Sequence, residues 1–227
     1  MANPPQVLRG MRDFLPDRMI LRHHVTGVFR SVFERYGFEP LDTPAVEYAE
    51  TLEGKYGEEA DKLIYKFEDR GGRAVGLRYD LTVPLARVVA LYPELPKPFK
   101  RYQIAPVWRA ERPQKGRYRE FWQCDVDTVG TSSMLADAEV LAVLYTALTE
   151  LGFRQFTMRI NDRKLLKGLA AFAGVPEGEE ASVLRSVDKL DKIGEVGVRT
   201  ELLEKGFDEE VVNRLFRLLN PAEEGED

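Results

Sequence analysis

Arginine, amide and carboxylate side chains alternate along residues 101–129, RYQIAPVWRAERPQKGRYREFWQCDVDTV, in a pattern that could bind a charged ligand. The pattern predicts two strands joined by a basic loop at 112–119. Because successive side chains of a strand point to opposite faces, alternate residues share a face. One face is then mostly polar and carries Gln103, Ala105, Val107, Arg109, Glu111, Arg119, Phe121, Gln123, Asp125 and Asp127.

The polar face allows two interpretations. A solvated outer surface would carry such charges, and so would a site for a ligand that is anionic at one end and cationic at the other. The chain contains neither GxxxxGK[ST] nor GxGxxG, so arginine side chains would have to bind any phosphate. Cys124, the only cysteine, falls on the apolar face and is predicted to be a core residue rather than a nucleophile. His23 and His24 are adjacent and would point apart on a helix, so we predict no metal site from protein residues.

The elements before this hairpin are predicted from the spacing of apolar residues and from glycine, proline and capping residues. Apolar residues at three- and four-residue spacing predict a helix over 17–36, ended by Gly37. Pro40 and Pro44 remove backbone donors, so the segment FEPLDTPAVEY should lie at a sheet edge or an interface. A hairpin follows, LIYKFED and AVGLRYD around a Gly-Gly turn, and Thr82 resembles the N-cap of a helix that runs through Leu91.

The elements after the hairpin become helical. Ser133 can cap a helix with Leu135, Ala138, Leu141, Leu144 and Leu148 on one face. A short strand at Phe156–Ile160 and a helix at Lys164–Phe172 come next, and residues 180–220 are charged, helical and without strand signals. Strands tied by hairpins predict an α+β fold: a mostly antiparallel sheet flanked by helices, with a small helical appendage.

Composition indicates a globular protein. The chain has 227 residues, 44% hydrophobic and 31% charged, with a net charge of −5 that argues against coating by nucleic acid but allows a local basic patch. No apolar run approaches the length of a membrane span, and the first residues lack the apolar core of a signal peptide. With one cysteine and no internal disulfide, we expect a cytoplasmic protein without a membrane partner.

Several strings together resemble the histidine-specific class II aminoacyl-tRNA synthetases. Arg109-Ala-Glu111, a loop with Arg117, and Phe121 on the returning strand resemble motif 2 of class II, and Pro44 corresponds to the proline of motif 1. The further strings are ERPQKGRYREF, RGMRDFLP, LRYDLT, QCDVD, RINDRKLL and DKLDKIG. The resemblance runs from about residue 8 to about residue 218 with consistent spacing, and it implies the class II fold.

The resemblance also implies a site and its ligands. Arg109 would be the catalytic residue that bridges the histidine carboxylate and the α-phosphate of ATP. Arg117 would hold the terminal phosphates, Glu111 would accept from the adenine amino group, and Phe121 would stack on the ring. Histidine would be bound by Asp80, Leu81, Thr82, Arg109, Gln123 and Asp127. ATP with Mg²⁺, L-histidine and tRNA(His) are the implied substrates, and the motif 1 region around Pro44 would form a homodimer.

The chain ends at Asp227, before a second histidine-binding stretch, motif 3 and the anticodon-binding domain of the family. We therefore expect residues 1–174 to be a partial catalytic core and 175–227 an incomplete helical insertion segment, as an N-terminal part of a histidine–tRNA ligase with little activity alone. Two alternatives stay open: the histidine-sensing regulatory subunit of ATP phosphoribosyltransferase, which has the same fold, and a non-catalytic dimerisation module.

Overall fold

A computed structural model describes residues 4–54 and 61–219. The chain forms two compact units, Met1–Gln155 and Phe156–Asp227. The division falls inside the segment 1–174 that the sequence assigns to a partial core, because the helix after it packs with the later helices. The assignment of residues to a catalytic core and an insertion segment stays a prediction. The sequence predicts a helical or irregular conformation for the polar stretch 48–62, and part of this stretch lies outside the described residues.

A long antiparallel pair forms the centre of the first unit. Strand β5 (Phe99–Trp108) pairs with β6 (Glu120–Val129) over ten residues, and β1 (Glu39–Pro40) pairs with β5 in parallel. The pairing of β5 with β6 confirms the predicted hairpin. The short strand with Pro40 is at the edge of this sheet, as expected for a residue that has no backbone N–H donor.

A second three-stranded sheet has the order β2-β4-β3 and is antiparallel throughout. It consists of β2 (Val46–Tyr48), β3 (Lys66–Glu68) and β4 (Ala74–Leu77). The 20-residue helix α1 (Pro16–Arg35) precedes β1 along the chain, and the short helix α2 (Ala49–Leu52) follows β2. The buried Arg78 links the two sheets, since its guanidinium donates to the carbonyl oxygens of Thr43 at 2.5 Å and Pro106 at 3.1 Å.

Helices cover the apolar face of the central hairpin. Helix α1 and helix α4 (Met134–Glu150) pack there around a core of Val32, Phe33, Phe38, Tyr102, Val143 and Ala147. Ser133 caps α4 as expected, accepting a hydrogen bond from the Leu135 N–H at 3.3 Å. The face of α4 that carries the spaced leucines is not its buried face, because Leu135 and Leu144 are exposed while Val143 and Ala147 are buried. A helix that is apolar on most sides does not specify its inner face by leucine spacing alone.

The second unit is helical. It contains α5 (Arg163–Ala173), α6 (Glu180–Val187), α7 (Leu190–Glu204) and α8 (Glu209–Leu219), with helix α3 (Thr82–Leu91) belonging to the first unit. A core that includes Ala170, Val183, Leu202, Leu215 and Phe216 holds these four helices together. The strand expected at Phe156–Ile160 is not formed, since these residues have no strand partner among the described residues.

These findings confirm the predicted α+β class with mostly antiparallel strands flanked by helices and a helical appendage. Among the described residues, no helix has both the length and the apolar character needed to cross a bilayer.

The inner face of α4 yields a stability test on neighbouring residues. Val143→Ala should lower the free energy of unfolding of this chain by about 2 kcal/mol, because it leaves a cavity beside Phe33 and Tyr102. Leu144→Ala, with 43% of the residue exposed, should cost less than about 1 kcal/mol. Urea unfolding followed by circular dichroism measures both, and a larger loss at Leu144 would contradict the observed orientation.

Candidate active site

The polar face of the β5–β6 pair has the composition expected from alternation. The register places Arg101 opposite Asp127, Gln103 opposite Asp125, Ala105 opposite Gln123 and Val107 opposite Phe121. Opposed residues of an antiparallel pair share a face, so these side chains lie on one side of the sheet. The other side carries Tyr102, Ile104, Cys124 and Val126 against the helices.

Four predicted residues meet at the loop end of this face. Arg109, Glu111, Arg117 and Phe121 line one pocket of about 280 Å³, together with Gly116 and Tyr118. The Arg109 guanidinium carbon lies 5.0 Å from the centre of the Phe121 ring, and its Nε donates to the Tyr79 carbonyl oxygen at 3.1 Å. A guanidinium fixed by one backbone hydrogen bond and an aromatic neighbour keeps its other N–H donors for a ligand, which suits binding of a carboxylate or a phosphate.

The basic loop that completes this pocket is a tight turn. The backbones of Gln114 and Arg117 exchange two hydrogen bonds, and Gly116 has φ +81°, a conformation that favours glycine. Arg117 is well exposed, and its guanidinium lies 3.5 Å from the Glu111 carboxylate. An exposed ion pair of this length contributes little stability, so both side chains can exchange this contact for a ligand at small cost.

The N-terminal segment 8–14 packs on the basic loop. The Arg119 N–H donates to the Gly10 carbonyl oxygen at 2.8 Å, and the Arg12 guanidinium carbon lies 3.2 Å from the centre of the Tyr118 ring. Gly10 has φ +89°, and a Cβ atom there would lie 2.7 Å from Cγ of Pro113. The string RGMRDFLP indicates the family, but nothing in its spacing predicts this contact with a loop about 100 residues later in the chain.

The predicted histidine-binding residues Asp80, Leu81 and Thr82 lie where β4 leads into α3. Leu81 is fully buried, packed with Ala105 and Val107. The Asp80 carboxylate accepts the Val83 N–H at 3.1 Å, whereas Thr82 is exposed and is the first residue of α3. The prediction that Thr82 caps this helix is therefore wrong, since the carboxylate two residues earlier satisfies the helical N–H.

The other end of the polar face contains a buried cation that the sequence analysis did not select. Arg101 is fully buried, and its Nη2 donates to the Leu81 carbonyl oxygen at 3.2 Å and lies 2.5 Å from Oδ2 of Asp127. This short contact is an ion pair without the alignment of a hydrogen bond. Arg101 follows the same alternation as Gln103, two residues later, so the strand pattern could have indicated it.

Several buried polar atoms of this region have no hydrogen-bond partner among the described residues. They include Oε1 of Gln123, Oδ2 of Asp127, and Nε and Nη1 of Arg101. Buried polar atoms are nearly always paired in proteins. Oε1 of Gln123 is an acceptor that would suit a ligand N–H, whereas Oδ2 of Asp127 already faces the Arg101 guanidinium.

Burial and mutual charge shift the titration of three groups on this hairpin. Burial lowers the pKa of Arg101, and the neighbouring Asp127, Asp125 and Asp80 carboxylates oppose that shift. The pKa of Asp125 is raised, mainly by burial, with Arg101 opposing. Burial also raises the pKa of the Cys124 thiol to about 11, which keeps it protonated near neutral pH and unsuited to act as a nucleophile. In the described part of the chain, no group of three or more His, Cys, Asp or Glu side chains could hold a metal ion.

Comparison with known proteins identifies the family of this fold and site. The family model for histidyl-tRNA synthetase matches residues 10–226. The chain belongs to the histidyl-tRNA synthetase family.

Individual relatives agree with this assignment. The histidine–tRNA ligases of Aeropyrum pernix and Gloeobacter violaceus are 52% and 49% identical, over 95% and 92% of this chain and 50% of each relative. The crystal structure of histidyl-tRNA synthetase from Nostoc sp. PCC 7120 superposes with a TM-score of 0.84 at 34% identity, covering 95% of this chain and 48% of that one. The chain thus spans about half the length of the curated relatives it matches.

A second solved structure carries a double description. An ATP phosphoribosyltransferase regulatory subunit/histidyl-tRNA synthetase from Bacillus halodurans has a TM-score of 0.81 at 26% identity, over 97% of this chain and 57% of that one. The class II synthetase fold predicted from the sequence is confirmed by these neighbours. The roles predicted for individual site residues stay predictions.

The contact between segment 8–14 and the basic loop can be tested with a glycine pair. Gly10→Ala should release the loop, because the new Cβ meets Pro113 and the backbone conformation is strained. We expect trypsin to cleave after Lys115 and Arg117 about tenfold faster, since cleavage follows local opening.

Gly27→Ala in α1 is the matched control, because a Cβ there meets no described atom within 4 Å. It should leave the cleavage rate unchanged. Equal rates for the two variants would show that Gly10 does not hold the loop.

Proposed function

We propose that this chain is the part of a histidine–tRNA ligase that binds ATP and one side of the histidine substrate. The whole protein would activate histidine with ATP to histidyl-adenylate and transfer the histidyl group to tRNA(His). The observation that carries the proposal is the pocket formed by Arg109, Glu111, Arg117 and Phe121, on the same sheet face as Gln123 and Asp127.

In the activation step the histidine carboxylate would attack the α-phosphorus of ATP and release pyrophosphate. The substrate supplies the nucleophile, so the protein needs only to position both reactants and neutralise the charge on phosphorus. Arg109 would be the catalytic residue, because its guanidinium fork can contact the carboxylate and the α-phosphate together. ATP would arrive as its Mg²⁺ complex, with the metal as part of the substrate.

The rest of the nucleotide would use the other lining residues. Arg117 would bind the terminal phosphates, and the Glu111 carboxylate would accept a hydrogen bond from the adenine amino group. Phe121 would stack on the adenine ring, with Arg109 already beside the Phe121 side chain.

Histidine would bind toward the acidic end of the same face. The α-ammonium would contact Asp80, Thr82 and Gln123, with Leu81 forming the wall, and the imidazole N–H would donate to Asp127. Two acceptors support this assignment. Oε1 of Gln123 has no hydrogen-bond partner among the described residues, and the Asp127 carboxylate, ion-paired with Arg101, has further acceptor positions that a histidine N–H can use. A competitor without an N–H in this place would leave the ligand-facing acceptor positions of the Asp127 carboxylate unsatisfied, at a cost of about 1–3 kcal/mol.

Residues 1–174 would form part of the catalytic core and 175–227 an insertion segment. The reaction uses ATP and tRNA, so we propose that the protein acts in the cytoplasm. Homodimerisation would use the motif 1 region around Pro44. Strand β2 supports this, because it lies at a sheet edge and exposes Val46 and Tyr48.

The regulatory-subunit alternative has one observation in its favour, the double description of the Bacillus halodurans neighbour. A histidine sensor would bind histidine without catalysing ATP–pyrophosphate exchange, and a dimerisation module would bind neither substrate. The nucleotide-binding residues argue for activation, since a sensor has no use for the Arg109–Phe121 pocket.

Arg109→Ala tests the proposed activity in the protein that the native gene encodes. Histidine-dependent ATP–pyrophosphate exchange should fall by about 100-fold or more, because the charge on the α-phosphate loses its main counter-ion. The control is Arg18→Ala, whose side chain on α1 is 72% exposed and which should exchange normally. Unchanged exchange in Arg109→Ala would overturn the proposal, and the 227-residue chain alone should show little exchange.

The proposed dimer can be tested on the two edges of one sheet. Val46→Lys on β2 should raise the dimer dissociation constant about tenfold or more, because it puts a charge into the expected interface. Phe67→Lys on β3, the opposite edge, replaces a similarly exposed side chain and should leave the constant unchanged. Sedimentation velocity over a concentration series measures both, and equal effects would argue against the motif 1 interface.

A further inference from the structure

Arg101 is the buried charge of the polar face to which the proposed reaction gives no role. It is fully buried near the start of β5, directly opposite Asp127 in the strand register. Removing a guanidinium from water is costly unless it is paired. A fully buried arginine beside a proposed substrate site therefore has a structural or functional reason.

The contacts of Arg101 join the two segments that would bind histidine. Its Nη2 donates to the Leu81 carbonyl oxygen at 3.2 Å, between Asp80 and Thr82, and lies 2.5 Å from Oδ2 of Asp127 on β6. One nitrogen thus contacts both the segment that leads into α3 and strand β6 of the hairpin. The separation of these two segments is the dimension that a bound histidine must fit.

Nη2 makes both the hydrogen bond and the short ion pair of the Arg101 side chain. Nε and Nη1 are buried and have no hydrogen-bond partner among the described residues. The charge balance also depends on this side chain, because Asp80, Asp125 and Asp127 all act on it. Without the cation, the three carboxylates would repel one another in a partly buried site.

We infer that Arg101 is a positioning residue for histidine recognition, which holds the Asp127 carboxylate toward the imidazole and fixes its distance from the Asp80–Thr82 segment. This inference rests on the proposed function. Arg101 itself contacts no reacting atom, and ATP would bind at the other end of the sheet face. The expected effect is therefore selective for the amino acid.

The test measures ATP–pyrophosphate exchange in the protein that the native gene encodes. Arg101→Met should raise KM for histidine by on the order of 10- to 100-fold, because a charge-assisted contact to Asp127 is lost. KM for ATP should stay within about twofold of the wild-type value. Arg101→Lys restores a charge without the planar fork, so its KM for histidine should lie between those of the other two proteins.

Arg87→Met is the matched control. Arg87 forms another arginine–carboxylate pair of the first unit, with the buried Glu47 at 2.7 Å, on the later turns of α3. Its loss should lower the melting temperature without raising KM for histidine more than KM for ATP. If Arg101→Met matches this control, or raises both KM values equally, Arg101 has a structural role only and the inference is overturned.

Substrate discrimination gives a readout that a loss of stability does not change. Thienylalanine has a five-membered ring like that of histidine but no ring N–H. The ratio of kcat/KM for histidine to that for thienylalanine should fall about tenfold or more in Arg101→Met, because a misplaced Asp127 no longer favours the N–H. An unchanged ratio would overturn the inference.

Two outcomes separate this inference from the proposed function. If the wild-type protein shows no histidine-dependent exchange, the proposed function fails and the inference with it. If wild-type exchange is normal but the discrimination ratio is unchanged in Arg101→Met, only the inference fails. If Arg101→Met does not fold by circular dichroism, Arg101→Lys decides by the same ratio, which should still fall, by a smaller factor.

Discussion

The register between β5 and β6 is the constraint on which the first unit depends. Ten consecutive pairs, from Phe99–Val129 to Trp108–Glu120, fix which residues face the helices and which face the candidate site. A shift by one residue would turn every side chain of a strand to the other face. It would bring Asp125 and Asp127 into the core with Phe33 and remove them from Arg101. Burial of the apolar face against the helices therefore also fixes which side chains point to the candidate site.

Periodicity was sufficient to predict the parts of the fold where only one face can be buried. The hairpin, its two faces, the edge position of Pro40 and the capped start of α4 all follow from local signals. It was insufficient for the inner face of α4, where leucines lie on several sides and the choice of Val143 depends on the partner surface. It also failed at Thr82, because a nearby carboxylate can satisfy a helix start as well as the hydroxyl at the expected position.

The candidate site also contains residues that could be predicted from periodicity and contacts that could not. Residues that alternate along one strand pair, such as Gln123 and Asp127, could be grouped from sequence because the pleat determines their direction. Contacts between segments that are distant in the sequence could not be predicted, since they depend on tertiary packing. The Gly10 carbonyl against Arg119 and the Leu81 carbonyl against Arg101 each join residues that no periodicity relates. The roles proposed for Arg109 and Arg117 rest on the family resemblance, because the strand pattern alone leaves them open.

The charges along the polar face change sign from one end to the other. Asp125, Asp127 and the nearby Asp80 form the acidic end around Arg101, whereas Arg109 and Arg117 form the basic end around Phe121. Ala105, opposite Gln123, is four residues from Arg109, which is about 13 Å at the rise of a strand. An amino acid bound along this line would place its ammonium toward the carboxylates and its carboxylate toward the arginines. Charge complementarity would therefore orient the substrate before any specific contact forms, with the nucleophilic oxygen directed at the phosphates.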